Sequence, residues 1–220
     1  MFFHNFADDA PGVFSNDGHN LIFIPDNSNL YMEKGTLPEL FPNFKYEMVM
    51  ATLHWGANDS VGSNHWIDGK QYAAELVLHQ QNRWFMEHPN GPYDPIKYYH
   101  GFMAVSLLIQ TKPHHYNVAF EPILEAVEAL AEDNYAEIHS ALNFRELLRE
   151  IGTSYPELFT FFSYRGSRMT PTPPRQPCSQ VYGYIVPDKP ITVGKCQVRE
   201  PITVDYRLNS PLLIFTDHSF

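Results

Sequence analysis

Apolar residues along this chain fall into short runs separated by turn signals, a pattern that predicts many strands and few helices. Leu21-Ile22-Phe23-Ile24 follows the turn signal Asn16-Asp17-Gly18 and is closed by Pro25-Asp26-Asn27-Ser28-Asn29. Residues 46–54, rich in Met, Val and Leu, form a second strand candidate, and residues 72–79 a third. Residues 101–110 are nearly all apolar. Their length and their place between Pro/Gly-rich segments predict a central strand buried on both faces.

The period changes at residues 122–132, where Ile123, Val127 and Leu130 fall on one stripe and Glu125, Glu128 and Glu132 lie outside it. Pro122 suits the first turn of that helix. A shorter helix is expected over residues 143–149. The proline-dense stretch 170–177 reads as a rigid loop inside the domain rather than a proline-type signalling ligand, because strands flank it, among them residues 181–186. No internal repeat or linker divides the chain. The expectation is one domain over residues 1–220, mainly β with a few short helices (α+β).

Composition narrows the partners more than the fold. The 220 residues are 44% hydrophobic and 15% aromatic, enough apolar material for one sizeable core. The formal net charge of −10 repels phosphate backbones, and the 15 Lys and Arg residues are scattered. Nucleic acid, polyanionic sugars and anionic membranes are therefore poor partners. No apolar run reaches the length of a membrane span. The start, Met1 to Asp9, has neither a basic region nor a clean apolar stretch, so it does not read as a secretory signal. Two cysteines, Cys178 and Cys196, allow one disulfide at most, and whether they pair is open.

Two strand candidates carry the chemistry. One ends Ala51-Thr52-Leu53-His54-Trp55-Gly56, and the other reads Tyr72-Ala73-Ala74-Glu75-Leu76-Val77-Leu78-His79, with Gly62-Ser63-Asn64-His65-Trp66-Ile67-Asp68-Gly69-Lys70 between them. Residues two apart on a strand point the same way, so Thr52 shares a face with His54, and Val77 with His79.

These segments resemble the alpha-carbonic anhydrase family, whose members carry His-x-His-Trp-Gly, then Gly-Ser-Glu-His-x-x-Asp-Gly, then Ala-Ala-Glu-Leu-His-Leu-Val-His. The spacing matches without gaps from Trp55 to His79. Phe14 to His19, Gly101 to Ile109, Ser163-Tyr164-Arg165-Gly166-Ser167 and Pro190 to Val193 resemble further family segments, so the likeness covers nearly the whole chain. It implies a central, twisted, mostly antiparallel sheet with a conical site at its middle. It also implies an ancestral reaction, the reversible hydration of carbon dioxide. In that chemistry three neutral imidazoles hold zinc, and the metal lowers the pKa of its bound water to about 7.

Carried over one by one, the family's metal ligands are mostly absent. The first falls at Thr52, the second at His54, which is kept, and the third at Val77, which has no donor atom. The family glutamate beside the zinc water falls at Asn64, and the glutamine supporting the first ligand at Met50. Glu75 keeps the glutamate that supports the third ligand, now with no imidazole to orient. The gatekeeping threonine falls at Thr170, or at Thr172 because the loop is longer here. The proton-shuttle histidine falls at His19, which reads first as a turn residue. His65 matches a family histidine with a structural hydrogen-bonding role. His79 faces the same cone as Val77 and is the one residue that could join His54 in a displaced metal site.

With these losses, the resemblance implies an acatalytic carbonic anhydrase-related protein. No cofactor is expected, and the partner would be a protein or small molecule that the sequence does not identify. The alternative is a divergent zinc-dependent carbonate dehydratase, hydrating CO2 at a rearranged site on His54 and His79. The family's N-terminal segment is absent before Phe2, and Cys178 sits where secreted members place a disulfide cysteine. The localisation expected is cytoplasmic as the chain stands, or secreted if a segment is missing.

Overall fold

A computed structural model of the chain describes residues 2–4, 9–16, 20–26, 30–33, 45–91, 100–132, 135–149, 151, 160–166 and 182–198. Asp17, Gly18 and His19, the proline-dense loop with Thr170 and Thr172, and Cys178 lie outside the described residues. The strands are β1 (Phe2–His4), β2 (Asp9–Asn16), β3 (Leu21–Pro25), β4 (Tyr31–Glu33), β5 (Tyr46–Trp55), β6 (Ala74–Asn82), β7 (Phe102–Lys112), β8 (Ile138–Asn143), β9 (Phe161–Gly166), β10 (Tyr182–Pro187) and β11 (Ile191–Gly194). The helices are α1 (Arg83–Glu87), α2 (Glu121–Glu132), entered through a 3-10 turn at Val118–Phe120, and α3 (Phe144–Arg149).

All the strands join one sheet, with the path β8-β2-β3-β5-β6-β7-β10-β9. Most pairs are antiparallel, as expected. The exceptions are β10 and β11, which both run parallel to β7, β10 along Phe102 to Val105 and β11 along Ile109 to Lys112. That places β7 in the interior, and Met103 through Ile109 are each at most 1% exposed. An apolar run on both faces is what such a strand needs.

Strand alternation sorts the middle of the sheet into two faces. Ala51, Leu53, Leu76, Leu78, Val105, Leu107 and Ile185 join the main core, together with Ile123, Val127 and Leu130 of α2. Helix α2 packs over β2 and β8. The opposite face carries Thr52, Val77 and Ser106 in one cross-strand row, flanked by the rows Met50, His79, Ala104, Tyr184 and His54, Glu75, Leu108.

Several boundaries differ from the sequence expectation, each for a local reason. Strand β6 begins at Ala74 rather than 72 and runs on through the polar residues Gln80, Gln81 and Asn82. Tyr72 is instead held by the Ser63 side chain, its N–H donating to Oγ at 3.0 Å. The short helix begins at Phe144 because Asn143 caps it, accepting from the Glu146 N–H at 3.0 Å. Strand β2 escapes hydropathy reading because Pro11-Gly12 looks like a turn. In the sheet Pro11 faces outward and its carbonyl accepts from the Asp26 N–H at 2.9 Å.

Candidate functional site

The polar floor of the second face is centred on Thr52. Its Oγ1 lies 2.9 Å from His79 Nε2 and 3.3 Å from His54 Nε2. Thr52 and His79 are buried, at 5% and 6% exposed, whereas His54 is half-buried. One hydroxyl proton serves at most one of the two imidazoles, so the other must donate to Oγ1 from its own Nε2–H, or both must donate. Val77 sits across from Thr52 and packs with Ala104 and Tyr184. Beyond it is Ser106, fully buried, whose Oγ makes no hydrogen bond to any described residue.

A second cluster lies beside this floor. Glu75 is 0% exposed, yet both carboxylate oxygens are engaged. Oε2 accepts from the backbone N–H groups of Asn64 at 2.7 Å and His65 at 2.9 Å, while Oε1 lies 2.6 Å from His65 Nδ1. His65 Nε2 is in turn 2.6 Å from the Tyr164 hydroxyl. An ionised carboxylate can only accept, which puts a proton on His65 Nδ1. In the neutral ring, Nε2 is then the acceptor for the Tyr164 O–H. Burial pushes the Glu75 carboxyl upward, but the hydrogen bonds and charge of His65, with a smaller pull from His54, outweigh it and hold the group below the usual carboxylate range. Burial, with the charge of Glu75 adding to it, pushes the Tyr164 phenol up to about 12, so it stays protonated near neutral pH.

Backbone close approach delivers residues 63–65 to Glu75. A Cβ on Gly62 would stand 2.0 Å from the Ala73 carbonyl oxygen, and one on Gly56 would stand 1.6 Å from that of Val61. Only glycine lets these segments touch. The excursion then turns back at Asp68-Gly69, both with positive φ (51° and 73°), between Ile67 and Lys70, which exchange two backbone hydrogen bonds. Asp-Gly is the favoured pair for such a turn.

The structure therefore brings Thr52, His54, Val77 and His79 to one floor and places Glu75 beside it. Asn64 is exposed, and its side-chain amide makes no hydrogen bond to that floor. Contrary to the sequence expectation, Glu75 does have an imidazole to orient, that of His65. Tyr164, Tyr184 and Ser106 join these clusters with no role expected from the sequence. Ser106 had a signal, being the one polar residue among Phe102 to Ile109.

A three-imidazole zinc centre does not fit this donor set. Thr52 and Val77 supply no imidazole, the Thr52 hydroxyl stands between the two that are present, and both Glu75 oxygens are already taken. Among the described residues, no group of three or more His, Cys, Asp or Glu side chains could hold a metal ion. No helix among those residues is long and apolar enough to cross a membrane.

Mouse "Carbonic anhydrase 4" is 27% identical over 158 residues, covering 71% of this chain and 45% of the mouse protein. The human "Carbonic anhydrase-related protein" is 24% identical over 187 residues, covering 84% of this chain and 58% of the human one, and the rat protein of that name matches equally. The chain thus spans about half the length of these curated relatives. The family model for eukaryotic-type carbonic anhydrase matches residues 1–210. On that match, the chain belongs to the eukaryotic-type carbonic anhydrase family.

Proposed function

We propose that this protein is an acatalytic carbonic anhydrase-related protein, in which the family's sheet serves as a binding scaffold for a small molecule or protein. The observation that carries this reading is the Thr52 hydroxyl, which stands at the first metal-ligand position and bonds to His54 Nε2 and His79 Nε2. Val77 at the third position is an apolar contact of Ala104 and Tyr184. Hydration chemistry in this family needs a metal held open at one position, and one retained family imidazole does not hold zinc in that way. Asn64, in place of the family glutamate, supports the same reading.

Metal analysis of the purified protein at neutral pH, paired with a stopped-flow CO2 hydration assay, tests the proposal. Substoichiometric zinc and no hydration above buffer are expected. One zinc per chain together with hydration would sink it.

A second reading, a rearranged zinc enzyme on His54 and His79, is favoured by the convergence of those two rings on one oxygen. It requires His79→Ala to lose metal and hydration together, and retention of both eliminates it.

A further inference from the structure

We propose that Asn58 is the acceptor of an N-linked glycan, attached as the chain passes through the secretory lumen. In Asn58-Asp59-Ser60 an asparagine is followed two positions later by a serine with no proline between, the triplet that glycan transfer requires, and no other asparagine of the chain meets that condition. The triplet stands just beyond the end of β5, in a tight turn closed by the bridge between Asn58 and Val61. A bulky sugar needs an acceptor that faces water, and Asn58 and Ser60 are both exposed. The base of the turn is held from two sides. Gly56 lies against the Val61 carbonyl, and Lys195 Nζ is 3.3 Å from Asp59 Oδ2. A sugar on Asn58 therefore leaves the sheet and its core undisturbed.

Asn58 Oδ1 accepts from the Ser60 N–H at 3.0 Å and from the Ser60 hydroxyl at 2.7 Å. Both bonds go to the oxygen, so Nδ2, the atom that reacts, has no hydrogen bond among the described residues. The co-reactant is an oligosaccharide joined through its first sugar carbon to a lipid diphosphate. Nδ2 attacks that carbon, and the new C–N bond forms as the C–O bond to the diphosphate breaks. The diphosphate leaves with the bonding electron pair, Nδ2 gives one proton to a base of the transferase, and nothing is oxidised or reduced. The plainer role for these contacts is a turn that Asn58 stabilises through Oδ1. That role needs no amide nitrogen, and an aspartate would fill it equally well. Modification at Asn58 puts the chain in the secretory lumen, the second of the two compartments expected from the sequence. It does not depend on whether the protein is acatalytic.

The test expresses the full chain behind a cleavable secretory leader in cultured animal cells. Secreted and cell-retained chains are both digested and mapped by mass spectrometry, before and after treatment with peptide N-glycosidase. The peptide holding Asn58 should carry one oligosaccharide, and the enzyme should remove it and leave aspartate at that position. Asn58→Asp keeps an oxygen for both Ser60 hydrogen bonds, so it should fold with the Tm of the enzyme-treated parent and carry no sugar. Ser60→Ala should also lose the sugar completely, whereas Ser60→Thr should keep it. The same peptide from the protein isolated from its source should be modified too. An unmodified Asn58 in the expressed chain, a sugar that survives Ser60→Ala, or an unmodified Asn58 in the protein from its source overturns the proposal. None of these readings involves zinc or CO2 hydration, so failure here is distinguishable from failure of the acatalytic reading.

Discussion

Thr52 holds two rings with one oxygen. Thr52→Val removes both contacts while keeping shape, so the cost is mainly that of taking the hydroxyl away from the buried His79 Nε2, with a smaller part from half-buried His54, about 1–3 kcal/mol in chemical denaturation. Thr52→Ser should recover most of it. Glu75 gives a pH test. Its folded pKa lies below the unfolded value of about 4.5, so its contribution to stability is fully present above that pH and is lost as pH falls through the folded value. Glu75→Gln should therefore lower stability near neutrality and flatten its decline below about pH 4.5, as read from urea midpoints across pH. At this scale the sequence was informative where strand period alone decides orientation, as for Thr52, His54, Val77 and His79. It was silent on His65–Tyr164, because the two residues are 99 positions apart and meet only through the sheet.

Among the elements, β6 carries an internal inconsistency. Gln80 is 0% exposed, sits between Met48 and Met103 on neighbouring strands, and neither of its amide atoms bonds to a described residue. Gln80→Met removes the buried amide at nearly constant volume and should stabilise by about 1 kcal/mol, raising Tm by about 2–4 °C. Gln197 is the opposite case. Its Oε1 accepts from the N–H groups of Asn117 at 2.9 Å and Gly194 at 3.0 Å, and its Nε2 donates to the Asn117 carbonyl at 2.9 Å, tying β11 to the turn before α2. Gln197→Leu should cost about 2–4 kcal/mol in thermal or urea unfolding, since buried backbone groups lose their partners. Long periodic elements such as β7 and α2 were legible because burial imposes the pattern directly. The polar end of β6 and the Pro-Gly of β2 were not, since their strand state comes from pairing with neighbours rather than from local preference.

Over the whole molecule, the chain has a mainly antiparallel sheet consistent with its family, and on the acatalytic reading proposed above this sheet persists without the family's metal ligands. Restoring them tests that separation. Thr52→His combined with Val77→His should bind one Zn2+ per chain after dialysis, as read by metal analysis. The second imidazole must displace an apolar contact of Ala104 and Tyr184, so the metal-free variant should be less stable by about 1–3 kcal/mol. The sheet's path has a further consequence, for synthesis. Strand β7 ends at Lys112, but the strands that run parallel to it begin at Tyr182, some 70 residues later. At about 5–20 residues per second, a ribosome needs roughly 4–14 s to make that stretch. Until then one long edge of β7 lacks the pairing that β10 and β11 supply, and an open apolar edge invites pairing with other chains. Nascent chains stopped before residue 182 should accordingly partition into aggregates or onto chaperones, because that side of β7 stays open until β10 and β11 are made.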